Sequence, residues 1–234
     1  MRCGCYTTQP DRYEAARNAG QGARGVRLAM RRWILMMFVA GIAAVLLASA
    51  VSAYPRPSRV SSRPEVNFQP GPLRMYTDDD GSHYWYLVYD VVNMSGEDRT
   101  WAPSVVLFTD RGEVLRDGAG VSRRVNRAIL EHVGDPLLEP KVAIIGVLRQ
   151  GGGHARRGMI VWPADRTDVN ELRVFVQGIS PETAIVANPV TGDPVTLRKN
   201  LYLHYLVSGD PISRGDTAIG LHPDYTAEEH WVFR

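Results

Sequence analysis

Apolar and polar residues alternate with a period of two over most of the chain after Leu73, which is the pattern of β-strands. The run from His83 to Asn93 is the clearest case, and both of its faces are largely apolar, as in a strand that is buried on two sides. Asp80-Gly81 precedes this run and supplies the positive φ that a tight turn needs. Residues 73–93 are therefore predicted to form a β-hairpin whose second strand is central.

Further strand patterns follow, separated by turns that contain Gly, Pro and Asp. They cover residues 100–109, 113–115, 142–148, 158–162, 171–179, 184–187, 195–207 and 230–233. Many short strands joined by such turns predict a mainly β fold, namely an antiparallel immunoglobulin-like β-sandwich. An open barrel is the alternative.

Residues 122–133 interrupt the β pattern with a helical period, which predicts one inserted α-helix. Ser122 is a suitable N-cap and Gly134 a suitable C-terminal stop. We expect the side chains at i, i+4 and i+8 (Val125, Ile129 and Val133) to be buried and those of Arg123, Arg124 and Arg127 to face solvent. Arginines in the first turn oppose the helix dipole, so packing should stabilise this helix.

An uncharged apolar run extends from Trp33 to Val51, after Arg31-Arg32 and before the small residues Ser52-Ala53. This order is typical of a secretory signal peptide that is cleaved after Ala53. The run also approaches the roughly 18–20 residues that span a bilayer, so a retained membrane anchor is the alternative. Residues 1–29 fit an over-extended start or an unstructured region before the signal.

The chain is therefore predicted to contain a leader over residues 1–53, a Pro/Ser-rich linker over 54–72 and a β-sandwich domain over 73–234. The domain is expected in the periplasm or outside the cell, or held at the membrane by the N-terminal segment. A composition of 44% hydrophobic and 22% charged residues is that of a folded chain and excludes a disordered one.

Separating the leader changes the charge and the cysteine content. The whole chain has a formal net charge of +2, but 7 of its 27 basic and only 2 of its 25 acidic residues precede Tyr54, which leaves a net charge near −3. A net acidic domain argues against nucleic-acid binding. Because Cys3 and Cys5 are the two cysteines, the domain has no disulfide, thiolate metal site or c-type haem attachment, and no cofactor is predicted.

Four short motifs support a resemblance. They are Ala155-Arg156-Arg157-Gly158 before a strand, Leu197-Arg198-Lys199 within a long strand, Gly209-Asp210-Pro211, and Trp231-Val232-Phe233-Arg234. In these motifs the chain resembles uncharacterised exported bacterial single-domain β-sandwich proteins over about residues 73–234. The resemblance implies a fold and export, and it implies no activity.

Catalytic motifs such as Gly-x-Ser-x-Gly, Ser-x-x-Lys and His-Glu-x-x-His do not occur. Two of the carboxylates Asp90, Asp165 and Glu171 could form a glycosidase pair, but no pattern places two of them about 5–10 Å apart. Several aromatic residues could form an exposed sugar-binding surface or part of the hydrophobic core. Their positions on alternating strands favour the core. They are Tyr84, Trp85, Tyr86, Trp101, Trp162 and Trp231.

Two groups of residues suggest metal ligands. The nearest to a zinc set is His222, Asp224 and His230, with Glu228 and Glu229 between them, although a polar loop beside an edge strand explains the same residues. Asp78-Asp79-Asp80-Gly81 offers oxygen ligands for calcium, but its spacing is more typical of a hairpin tip.

The loop from Gly151 to Gly158 is the best candidate for contact with an anion. His154, Arg156 and Arg157 follow three glycines, and two adjacent arginines can bind a carboxylate or phosphate with paired hydrogen bonds. A solvated turn with incidental charge is the alternative. The sequence thus favours a non-enzymatic exported module that binds an unknown envelope protein or polymer. The second hypothesis is a hydrolase or carbohydrate-active domain whose site is assembled from distant residues.

Overall fold

The computed structural model describes residues 54–58, 61, 63–225 and 231–234, and the predicted leader lies outside this range. Twelve strands occur in the described residues. They are β1 (Asn67–Thr77), β2 (His83–Val92), β3 (Arg99–Trp101), β4 (Ser104–Thr109), β5 (Val114–Arg116), β6 (Leu138–Pro140), β7 (Gly146–Leu148), β8 (Arg156–Pro163), β9 (Glu171–Gln177), β10 (Thr183–Ala187), β11 (Pro194–Leu206) and β12 (Trp231–Phe233). Three α-helical segments accompany them, namely α1 (Arg123–Val133), α2 (Lys141–Ile144) and α3 (Pro211–Arg214). None of these described helices is long and apolar enough to cross a membrane.

The strands form two main sheets. The first has the order β1-β2-β8-β6, in which only the short β6–β8 pair is parallel. The second has the order β10-β11-β9-β4-β5, with β12 paired to β11. A separate two-stranded ribbon joins β3 to β7. β2 pairs with a strand on each side, so the prediction that it is central is confirmed.

One apolar core fills the space between the two sheets. Trp85, Leu87 and Trp162 enter it from the four-stranded sheet, and Val174 and Leu203 enter it from the larger sheet. Two antiparallel sheets that share one core are a β-sandwich, which confirms the predicted fold class. The strand order does not by itself establish the immunoglobulin-like relationship.

A second apolar cluster lies on the other face of the four-stranded sheet, where α1 packs on it. Val125 and Ile129 of α1 are buried there against Tyr86, Met159 and Val161, and Val133 is half-buried. This packing explains why β2 and β8 are apolar on both faces.

The helix begins and ends where the sequence predicts. Ser122 Oγ accepts a hydrogen bond from Val125 N at 3.2 Å, and Gly134 closes the helix in the left-handed conformation with φ of 66°. Arg123, Arg124 and Arg127 are exposed, as expected.

Three parts of the fold differ from the prediction. Residues 100–109 were predicted to be one strand, but they form the separate strands β3 and β4. β1 begins at Asn67, inside the stretch predicted to be a linker, because an edge strand tolerates Pro70 and Pro72 beside the irregularity in its pairing with β2. Residues 142–148 were predicted to be one strand, but Lys141–Ile144 form α2 and only Gly146–Leu148 form β7. An apolar run of this length suits a helical turn as well as a strand.

Candidate functional site

A groove of about 910 Å³ opens on the helical side of the sandwich. Its walls come from α1, from the loop after β5 and from α2 with the residues around it, and its floor comes from β8. The lining residues are Arg116, Asp117, Gly118, Ala119, Val121, Arg123, Asn126, Arg127, Leu130, Pro140, Lys141, Val142, Ile145, Met159, Ile160 and Val161. Its volume lies in the range of about 300–1,000 Å³ that is usual for ligand pockets.

The groove exists because α1 covers only part of the outer face of β8. Asp117 fixes the opposite wall, since its carboxylate accepts a hydrogen bond from Val105 N at 2.6 Å and another from Lys141 Nζ at 2.6 Å. Gly118 N donates to Val161 O at 2.9 Å and holds the loop against β8. The groove therefore lies between two walls that are tied to the sheet, and its open apolar surface comes mainly from Val142 and Ile145.

The rim of the groove is cationic. Arg116, Arg123 and Arg127 are exposed, and none of their guanidinium groups has a hydrogen-bonded or ion-paired partner among the described residues. Lys141, by contrast, is paired with Asp117. The first turn of α1 contains no acidic residue, so the positive end of the helix dipole adds to the same potential.

Four large aliphatic side chains are exposed in the segment that contains α2, and two of them, Val142 and Ile145, line the groove. Leu137, Val142, Ile145 and Val147 are 71%, 76%, 50% and 68% exposed, and all four lie within residues 137–147. Large exposed aliphatic side chains concentrated in one segment are a typical feature of an interaction surface.

Arg156 and Arg157, which the sequence suggests as anion contacts, both bind carboxylates of the domain itself. Arg157 makes two hydrogen bonds to Asp90 of β2, at 2.7 and 3.1 Å, and one to Asp135 at 2.7 Å. Arg156 makes two to Glu139 of β6, at 2.8 and 2.6 Å. Both guanidinium groups are therefore already paired with carboxylates of the domain.

The hydrogen bonds that Arg157 donates to Asp90 and to Asp135 raise the pKa of Arg157 above its ordinary value, and the bond from Arg157 lowers the pKa of Asp135. His154 lies apart from these pairs, exposed at the end of the short 3₁₀ turn Gly152–His154.

The structure brings His222 together with other residues than those the sequence suggests as zinc ligands. His222 lies beside His204 and Glu171, and neither of these was among the metal ligands predicted from sequence. Asp224 is exposed, with its carboxylate 3.8 Å from His222 Nδ1. His230, Glu228 and Glu229 lie outside the described residues.

Asp78 and Asp80, two of the three calcium candidates, already bind other groups of the domain. The buried carboxylate of Asp78 binds Arg124 at 2.5 Å and so joins the β1–β2 turn to the start of α1. Asp80 accepts a hydrogen bond from Ser82 N at 2.9 Å, as expected at a hairpin tip.

The considered glycosidase carboxylates do not form a pair across a cleft. Asp90 belongs to the four-stranded sheet and binds Arg157, Glu171 starts β9 of the other sheet, and Asp165 lies in a loop. Most of the aromatic candidates are core residues, since Trp85, Tyr86, Trp101 and Trp162 are buried. Tyr84 and Trp231 are half-buried.

The sequence did not indicate the groove because its lining comes from four separate stretches of chain between residues 116 and 161. One signal was present, since Arg123 opposes the dipole of α1. A cation that does not help its own helix is a reason to look for an external partner.

Comparisons with protein-family models, with curated proteins and with solved structures gave no match to this chain.

Proposed function

We propose that this chain is an exported, non-enzymatic binding module of the cell envelope, and that its groove binds an acidic, amphipathic segment of a partner protein. The observation that carries the proposal is the combination of an apolar lining, in which Val142 and Ile145 are exposed, with three arginines at the rim that have no carboxylate partner among the described residues. An exposed apolar lining is stabilised by covering it, at about 25 cal/mol per Å² of apolar surface removed from water.

Charge favours an acidic partner. Arg116, Arg123 and Arg127 have no carboxylate partner among the described residues, although residues 54–234 as a whole are net acidic. Arginine forms paired hydrogen bonds with carboxylates and is enriched in protein interfaces. A partner that carries Asp or Glu beside apolar residues complements both the arginines of the rim and the apolar lining of the groove.

The extent of the apolar surface favours a protein over a small molecule. Val142 and Ile145 line the groove, and Leu137 and Val147, which flank them in sequence, are also exposed but do not line it. A small ligand inside the groove would leave these outer side chains in water, whereas a protein segment can cover them as well.

Export is supported by the sequence. The uncharged run at 33–51, the arginines before it and the small residues at its end favour a signal peptide or an anchor. Intact mass of the mature protein tests this, with Tyr54 as the expected first residue. A chain that keeps residues 33–51 in the membrane fraction would favour the anchor, and a cytoplasmic chain would contradict export.

Binding is tested by photo-cross-linking of the full chain in its native host. Benzoylphenylalanine in place of Val142 should give an adduct with one protein, mapped to a segment that contains both acidic and apolar residues. The same group in place of Ile185, which is 73% exposed on β10, should not give that adduct.

Charge reversal makes the test specific. Arg123→Glu combined with Arg127→Glu should abolish the adduct at position 142, whereas Arg198→Glu, which alters an exposed arginine on β11, should leave it unchanged. A lipid adduct, no adduct, or a protein adduct that survives the charge reversal would each overturn the proposal.

A further inference from the structure

Three side chains with metal-binding chemistry meet on the outer face of the larger sheet. Glu171 is the first residue of β9, His204 lies in β11, and His222 lies in the segment that follows α3. One ligand atom from each of them lies within 4.8 Å of the other two, and all three side chains are half-buried.

Main-chain pairing holds these residues in place. Glu171 pairs with Leu206 and Arg173 pairs with His204, so Glu171 and His204 are diagonal neighbours on one face of the sheet. His222 N donates to His204 O at 2.8 Å, which fixes the third residue beside the second. Main-chain hydrogen bonds therefore fix the position of all three residues of the cluster.

The side chains already interact with one another. His204 Nε2 lies 3.1 Å from Glu171 Oε2, and the rings of His204 and His222 stack in parallel with centroids 4.5 Å apart. Hydrogen bonds from Arg173 and then from His204 lower the pKa of Glu171, so its carboxylate is ionised at neutral pH. An ionised carboxylate and neutral imidazoles are the forms that bind a metal ion.

We propose that Glu171, His204 and His222 bind one divalent transition-metal ion of the zinc class. Two imidazoles and a carboxylate suit zinc, nickel or copper better than calcium or magnesium, which prefer oxygen ligands. Zinc bonds of about 2.0–2.2 Å place tetrahedral ligand atoms roughly 3.3 Å apart. Binding therefore requires the three groups to close in by an ångström or so and the stacked rings to turn toward the ion.

The competing cation at this cluster is Arg173. Its guanidinium donates to Glu171 Oε2 at 2.7 Å, the same oxygen that lies near His204. A metal ion has to take this carboxylate from Arg173, so the arginine should weaken binding. Removing Arg173 should therefore strengthen metal binding, an effect that a purely structural His–Glu contact would not produce.

The proposal is independent of the groove. Glu171 and His204 lie on the outer face of the larger sheet, and the groove lies on the outer face of the other sheet beside α1. Loss of partner binding would leave metal binding unchanged, and the reverse also holds.

The test is a zinc titration of the full chain, purified without a histidine tag and freed of metal by chelator. Cys3→Ser and Cys5→Ser are present in every protein, because these thiols would bind zinc themselves. Calorimetry should show one zinc ion per chain, and the melting temperature should rise with zinc concentration. Failure of this protein to bind zinc would by itself overturn the proposal.

Variants locate the ion. His204→Ala and His222→Ala each remove a ligand, so each should weaken zinc binding strongly. Loss of a residue that only supports a metal ligand already costs about 10–100-fold in affinity, and these variants should cost at least as much. His154→Ala, which removes an exposed histidine elsewhere, is the matched control and should bind as the parent does. Arg173→Met should bind zinc more tightly than the parent.

Glu171→Gln keeps the shape of the side chain and removes its charge. It therefore tests the site even if an alanine variant does not fold. It should weaken zinc binding while its circular dichroism without metal matches the parent. Stoichiometric zinc binding that is insensitive to His204→Ala, His222→Ala and Glu171→Gln would place the ion elsewhere and overturn the proposal.

Discussion

The ring of Tyr89 lies over Gly158, its cross-strand partner in the four-stranded sheet. A β-carbon at Gly158 would overlap the end of this ring and the Cδ1 atom of Ile144, and both are buried in the core. Glycine at this position is therefore a packing requirement. Gly158→Ala should lower the free energy of unfolding by about 1–3 kcal/mol, the usual cost of overpacking, as measured by denaturant titration.

Gly153→Ala is the matched control for this prediction. Gly153 lies in the 3₁₀ turn before β8, and nothing stands within 4 Å of the position that its β-carbon would take. This substitution should leave the unfolding midpoint nearly unchanged. Equal effects at the two glycines would mean that Tyr89 does not occupy the space above Gly158.

The docking of α1 gives a second prediction. Ile129 is fully buried against the outer face of the four-stranded sheet. Ile129→Ala should destabilise the domain by about 2–5 kcal/mol, because it leaves a cavity between helix and sheet. Glu131→Ala, on the exposed side of the same helix, should change stability by less than about 0.5 kcal/mol. An unchanged midpoint for Ile129→Ala would show that α1 is not docked.

The third prediction concerns Arg157, which joins Asp90 of β2 to Asp135 after α1. Arg157→Ala should lower the melting temperature, and the decrease should become smaller in 1 M salt, because these carboxylates are partly exposed and the interaction is screened. Arg149→Ala removes an exposed arginine that has no partner among the described residues, and it should have no such effect. A melting temperature that is the same for Arg157→Ala as for the parent would show that the network contributes nothing to stability.

Local signals explain which parts of the fold could be predicted. The bounds of α1 follow from Ser122 and Gly134, whose capping contacts reach no more than four residues along the chain. The β1–β2 turn follows from Asp80-Gly81 in the same way. The two apolar faces of β2 predict a central strand, but they do not identify the helix that covers one of them.

Contacts between distant residues explain what could not be predicted. Arg156 and Arg157 follow a glycine-rich turn and look free in sequence, yet their carboxylate partners lie 17, 22 and 67 positions away. His222 was a candidate ligand, but its neighbours Glu171 and His204 come from two strands whose pairing the sequence does not specify. The sequence shows which residue types could bind a metal ion or an anion. Which residues they contact depends on the register of the sheets, which the sequence does not show.

The fourth prediction concerns Lys199, whose side chain is completely buried in β11. Its ammonium group lies 3.0 Å from Glu65 Oε1 and 3.1 Å from Glu182 Oε2, and it donates to Ser58 O at 2.9 Å. These contacts tie the segment before β1 to the larger sheet. Lys199→Met leaves two carboxylates without their cation, so it should destabilise the domain by up to about 3–5 kcal/mol.

The pH dependence of this effect follows from Glu182. Burial raises the pKa of its carboxyl, but the hydrogen bond from Ser58 N and the ammonium of Lys199 outweigh burial and lower the pKa overall. A carboxyl with a lowered pKa stabilises the fold fully above its ordinary pKa and loses that contribution as the pH falls through the folded value. The difference in melting temperature between the parent and Lys199→Met should therefore be largest near neutral pH and should narrow in acid.

A double variant separates loss of the ion pair from loss of packing. Glu182→Gln added to Lys199→Met removes one of the uncompensated charges, so the double variant should be more stable than Lys199→Met alone. Trypsin cleavage of the Arg59–Val60 bond should be faster in Lys199→Met than in the parent, because Lys199 then no longer holds the neighbouring Ser58 O. If the double variant is instead less stable than the single one by the full cost of Glu182→Gln in the parent, the two residues do not interact, and the burial of Lys199 needs another explanation.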